Sequence, residues 1–205
     1  MGYDSISRAD YGKFLYSQKV KYLGKTIKGL GLTPAEREKL LAFLVERSET
    51  QRGLRDTLEG KPRVDNATFE KLVAEANAMV DQEIARYFGP EKYARIDSML
   101  KLRPFLDQLT NRYDPVLSEA GLPLAPEQML PVAFALADAY KGVSHPETAP
   151  TQATVDQATG LTPTDHYALT KLREVISDPQ IVAFKKALIQ KNEFMLKLTA
   201  AASHK

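Results

Sequence analysis

Three times the chain sets a Gly-Leu pair just ahead of a proline and then runs into an apolar pattern of helical period. The copies are Gly31-Leu32-Thr33-Pro34-Ala35-Glu36, Gly121-Leu122-Pro123-Leu124-Ala125-Pro126-Glu127-Gln128 and Gly160-Leu161-Thr162-Pro163-Thr164-Asp165. Glycine accepts the left-handed backbone that ends a helix. A threonine oxygen caps the next one, and proline loses nothing in a first turn whose N–H groups have no partner. Each phrase therefore predicts one helix stopping and another starting. Runs of alternating β-branched residues are missing. The expected fold is all-α, an irregular bundle of about seven to eight helices ending in a C-terminal helical hairpin.

The helices follow from apolar spacing. The first spans Ser7 to Leu30, with Phe14, Leu15, Val20, Tyr22, Leu23 and Ile27 as apolar positions, a strong lysine bias, and two weakening glycines, Gly12 and Gly24. Thr33 to about Glu59 opens with a capping box, Thr33 and Glu36, and ends at Gly60-Lys61-Pro62. Asp65 or Asn66 caps a third helix, which Gly89-Pro90 breaks, and Pro104 interrupts the run that follows. Pro126 to Tyr140 is a short helix apolar nearly all round. Val143 to Thr159 resembles a linker. The hairpin follows, one arm from Pro163 to Ser177 and the other capped by Asp178. The expected organisation is a bundle core over 1–141, a linker or loop over 142–160, and a hairpin over 161–205 that packs on the core.

Composition removes several function classes. The formal net charge is +2, which argues against a globally basic nucleic-acid binder and permits a local basic face. There is no cysteine, so thiol catalysis, disulfides and Cys-rich zinc sites are excluded, and an oxidising compartment is compatible. No stretch approaches the roughly 18 apolar residues of a membrane span. The start, Met1-Gly2-Tyr3-Asp4, reads either as native or as a junction left by removal of an export signal.

Catalytic patterns are scarce. His145, His166 and His204 are the only histidines, and no His-x-x-x-His, His-Glu-x-x-His or Glu-x-x-His spacing occurs. Acidic residues are plentiful but fall on different helix faces, as Asp81 and Glu83 do. No Gly-rich phosphate loop and no Gly-x-Ser-x-Gly elbow is present. No cofactor and no metal is expected, and the chain reads as a non-enzyme. Arg47 reads as a solvated arginine or, alternatively, as a partly buried organiser of the bundle.

The phrase Leu32-Thr33-Pro34-Ala35-Glu36 resembles the L-T-x-x-Q motif of Spy-like periplasmic chaperones, with glutamate in place of glutamine. Leu124 to Gln128 keeps the glutamine and lacks the threonine. A wider resemblance, from Leu30 to about Tyr140, is to a group of uncharacterised bacterial helical envelope proteins. It rests on Leu32 to Glu36, Leu44-Val45-Glu46-Arg47, Phe88-Gly89-Pro90-Glu91-Lys92-Tyr93 and Pro123 to Gln128, in that order. The resemblance implies a helical fold and a periplasmic or envelope location, with the cytoplasm as the other compartment. It implies no catalytic residue, and the chain after Lys141 departs from the pattern.

Together these observations predict a non-enzymatic protein-binding or scaffold protein of the cell envelope, whose sharpest form is a Spy-like client-binding chaperone. Apolar clefts rimmed by Lys and Arg would hold the partner protein. The expected contacts are Tyr16, Tyr22 and Lys25 on the first helix and Phe184 and Phe194 on the hairpin, with core burial as the competing account of the aromatics. Self-association into a homo-oligomer is compatible with this. The alternative is a nucleic-acid or anionic-surface binder that uses the lysines between Lys13 and Lys28 together with Lys185, Lys186, Lys191 and Lys197, with Tyr11, Tyr16 and Tyr22 available to stack on bases.

Overall fold

Gly31, Gly121 and Gly160 hold φ angles of 73°, 73° and 69° in a computed structural model. Glycine adopts that left-handed region without steric cost; Gly31 and Gly121 end helices with it, whereas Gly160 closes a turn over 156–160 and not the helix end that the third phrase predicts. The structure describes residues 8–58, 65–140 and 155–202. Its helices are α1 (Arg8–Lys28), α2 (Pro34–Leu58), α3 (Asn66–Lys101), α4 (Arg103–Gln108), a π-helical turn (Leu109–Tyr113), α5 (Asp114–Glu119), α6 (Pro126–Ala139), α7 (Pro163–Leu172) and α8 (Asp178–Ala202). The fold is all-α. Among the described residues the only sheet-like feature is an isolated bridge between Asp156 and Leu161.

The chain divides into two compact units, Met1–Ser98 and Met99–Lys205, so the division falls within α3. Most of the expected linker, 142–160, lies outside the described residues. So do the Gly60-Lys61-Pro62 stop and the first residues of the chain.

In the first unit α1 and α2 form an antiparallel hairpin. The predicted capping box is present: Thr33 N donates to Glu36 Oε2 at 2.9 Å and Glu36 N donates to Thr33 Oγ1 at 3.3 Å. Lys92 of α3 donates to the other Glu36 oxygen. That bond, with those from Thr33, brings the Glu36 pKa down to about 2. Asp65 caps α3 through Thr68 N at 2.8 Å. The break expected at Gly89-Pro90 is present: Gly89, at φ 75° and ψ 169°, leaves helical geometry and divides α3 into two helical segments, the second opening at Pro90. Arg47 is the organiser rather than the solvated residue. It donates to Asp81 at 2.9 Å with both side chains about three-quarters buried, and so ties α2 to α3. Leu23, Ile27, Leu40, Leu44, Ile84 and Ile96 are buried in this unit.

In the second unit Pro104 sits in the first turn of α4, after a break at Leu102. Nothing in the sequence foretells the π-helical turn. It carries Tyr113 into the core, where the ring stacks on Phe184 at a centroid separation of 4.4 Å. The second repeat starts α6 with half a capping box: Ala125 N donates to Gln128 Oε1 at 2.8 Å, with alanine where a hydroxyl would stand. α7 and α8 pack together as the predicted hairpin, α6 lies against α7, and α5 lies against α8. The cap of α8 is Ser177 rather than Asp178. Ser177 N donates to Gln180 Oε1 at 3.1 Å, and Ser177 O accepts from Ile181 N at 2.9 Å.

Candidate functional site

A groove runs along one side of the α1–α2 hairpin. It consists of two mostly apolar clefts of about 470 and 500 Å³ that meet at Tyr16. From α1 come Gly12, Tyr16, Val20, Gly24 and Lys28, spaced four residues apart and so on a single ridge of the helix. From α2 come Ala35, Glu38, Leu41, Ala42, Val45, Glu46 and Glu49. Small side chains open the groove. A Cβ added at Gly12 would meet only Glu49 Oε1, at 3.0 Å, the end of a flexible side chain that can turn aside. At Gly24 a Cβ would meet nothing nearer than Val20 at 3.8 Å, so helix packing does not require a glycine at that position. A mid-helix glycine costs about 1 kcal/mol relative to alanine, and here it deepens the cleft.

The groove has a polarity across its width. α1 carries six cationic residues against one carboxylate, Asp10. Lys13 and Lys28 stand on its edge of the groove. The α2 edge carries Glu38, Glu46 and Glu49. Arg37 also lines it, with its guanidinium donating to Leu32 O at 2.9 Å and so bound to the interhelical turn. Tyr16 crosses between the edges and donates to Glu38 Oε2 at 2.6 Å. That bond raises the Tyr16 pKa above 10.0, with burial adding to the shift.

Of the five predicted contact residues, Tyr16 alone lines both clefts. Tyr22 is half-buried, with the Lys21 ammonium 5.1 Å from its ring centre, and Lys25 is also half-buried. Phe184 is fully buried against Tyr113 and offers no surface, because α8 turns that position into the core of the second unit. Phe194 is 60% exposed on α8, on the same face as Leu198, which is 49% exposed. Ala35, Ala42 and Val45, which line the groove from α2, are not among the expected contacts. The available signal was the four-residue spacing of Gly12, Tyr16, Val20 and Gly24, in which the glycines read only as helix weakeners.

The second unit holds a buried polar cluster that the sequence reading also missed. Asp165 is fully buried. Its Oδ1 accepts from Tyr140 at 2.8 Å and from Lys191 at 3.3 Å. Its Oδ2 accepts from Asn192 at 2.8 Å, and from the Thr162 backbone N at 2.9 Å and hydroxyl at 2.7 Å. Burial pushes the Asp165 pKa up, but the Lys191 charge and the Asn192 and Thr162 hydrogen bonds outweigh it and hold the group below 3.8. Burial, with the Arg112 charge, pushes the Lys191 pKa down against the opposing pull of Asp165. Burial also drives Tyr140 well above the ordinary tyrosine range and brings Tyr113 up to about 12. A carboxylate offers about four lone-pair sites, and five protein donors already occupy these. The carboxylate is therefore fully used in joining α6, α7 and α8, while Asn192 Oδ1 beside it is buried without a hydrogen-bond partner.

Among the described residues no group of three or more His, Asp or Glu side chains gathers where a metal ion could sit. No described helix is long and apolar enough to cross a membrane. No family model, no curated protein and no solved structure matches the chain.

Proposed function

We propose that this chain is a non-enzymatic protein-binding module of the bacterial cell envelope that holds an apolar client segment in the groove between α1 and α2. The observation that carries this is the groove itself: apolar along its floor, lined by α1 and α2 alone, and edged by charge. Such a surface gives non-directional apolar contact, while the lysines supply longer-range attraction for a client carrying acidic residues. No bond-making step is needed. The envelope location rests on the resemblance of Leu30 to Tyr140 to envelope proteins.

The test is suppression of aggregation of a defined client, reduced α-lactalbumin, at near-stoichiometric ratio and without ATP. The wild-type chain is expected to suppress aggregation. Val20→Glu combined with Ala42→Glu, two exposed positions on the groove, is expected to abolish suppression while helix content stays unchanged. Full suppression by the variant would contradict the proposal.

A second reading has one observation in its favour. Lys13, Phe14, Val20, Lys21 and Lys28 are exposed on one face of α1, a cationic face with apolar residues among the lysines. That pattern suits an anionic surface. Binding to anionic vesicles or single-stranded DNA that falls steeply with salt would favour it. The same measurement with no binding at low salt would remove it.

A further inference from the structure

We infer that the groove between α1 and α2 also takes a second copy of the same hairpin, so that two chains close into a four-helix bundle. This rests on the docking role proposed above and names one occupant for the same surface.

Length is the first argument. The ridge from Gly12 to Lys28 is about 24 Å long at 1.5 Å per residue. A helical hairpin of comparable reach can span it, and α1 and α2 themselves are 21 and 25 residues long. Two such hairpins, each with an apolar side facing the other, make the usual up-and-down bundle.

Charge is the second argument, and it selects the geometry. Two-fold pairing can place α1 against either the partner's α1 or the partner's α2. The first choice sets the lysine edge against lysines, and like-charge contact opposes association. The second choice lays Lys13 and Lys28 of one copy along the glutamate edge of the other. Lys13, Glu46 and Glu49 line the same cleft and therefore lie at the same height along the hairpin. With the two-fold axis parallel to the helices, Lys13 faces the partner's Glu46 and Glu46 faces the partner's Lys13. Neighbouring helices then all run antiparallel. On this basis the dimer is the resting form, and a client competes with the second copy.

Sedimentation equilibrium of the full chain from about 1 µM to about 1 mM reads this directly, since that range spans the dissociation constants of modest helical dimers. The expected result is a concentration-dependent rise to twice the 22.8 kDa chain mass. Lys13→Glu alone and Glu46→Lys alone should each weaken the dimer by at least about tenfold, and the double reversal should restore it to within about threefold. Both positions are exposed, and recovery in the double variant separates a lost contact from a lost fold. A monomer throughout the range would overturn the inference, as would a dimer indifferent to all three variants. A monomer that still suppresses client aggregation in a groove-dependent way would remove the second copy as occupant and leave the docking role standing. Loss of both would remove both.

Discussion

Tyr16 and Glu38 are joined by a 2.6 Å hydrogen bond that links α1 to α2 where the two clefts of the groove meet. Both side chains reach solvent, so the bond is worth no more than about 1 kcal/mol. Its signature is pH dependence. The folded-state pKa of Tyr16 is raised above 10.0, so the protonated hydroxyl is favoured in the folded chain. The contribution is fully present below the unfolded tyrosine pKa and is lost as pH rises through the higher folded value. Tyr16→Phe should flatten the alkaline limb of a stability–pH curve and lower stability at neutral pH by less than about 1 kcal/mol. Urea denaturation between about pH 8 and pH 11 measures both effects.

Glu36 gives the opposite limb. Its pKa falls from 4.5 to about 2 through the Lys92 bond and then the Thr33 cap. Its contribution is therefore present above 4.5 and lost as pH drops towards about 2. Lys92→Met should reduce the loss of stability across that window. An acid titration followed by circular dichroism reads it, and an unchanged profile in the variant would contradict the pairing.

Asp165 is expected to be the most sensitive polar position of the second unit. Asp165→Ala leaves a largely buried lysine, a buried asparagine and two cap donors without their acceptor. Breaking a buried pair of this kind costs about 3 kcal/mol or more. Thr162→Ala removes a single cap and should cost about 1 kcal/mol. Chemical denaturation compares the two, and equal effects would contradict the central place given to Asp165. Because its folded pKa lies below 3.8, its contribution is present above that value and lost as pH falls through the lower folded one.

Two glycines of the same conformation should respond differently to alanine. Gly121 and Gly160 both have positive φ, at 73° and 69°. A Cβ at Gly121 meets nothing within 4 Å, whereas at Gly160 it meets Ile189 at 3.1 Å. Gly121→Ala should cost about 1–2 kcal/mol from backbone strain alone. Gly160→Ala adds crowding against α8 and should cost about 1 kcal/mol more. Thermal denaturation ranks them.

The helices were legible because their ends are written in local chemistry: glycine stops, proline starts, and the Thr33–Glu36 box. Two features depended on long-range packing and were not legible. The π-helical turn exists in a segment where Tyr113 stacks on Phe184, 71 residues away in sequence. Asp165 looked like an ordinary first-turn carboxylate, because α8 had to be in place before Lys191 and Asn192 could reach it. Phe184 and Phe194 are equally aromatic in the sequence, and only the rotation of α8 buries one and exposes the other. The groove was half visible. Its four-residue row of Gly12, Tyr16, Val20 and Gly24 was in the sequence, but without α2 opposite it the row had no depth.

The chain has no cysteine, so one introduced thiol gives one labelled site. An environment-sensitive dye attached through Ala42→Cys sits on the groove, and one attached through Ser118→Cys sits on an exposed position of α5 in the second unit. At submicromolar chain concentration, adding reduced α-lactalbumin should shift the dye at position 42 to the blue, saturating near one client per chain, and leave the dye at position 118 unchanged. Suppressed aggregation with no change at position 42 would contradict the claim that the α1–α2 groove is where the client binds.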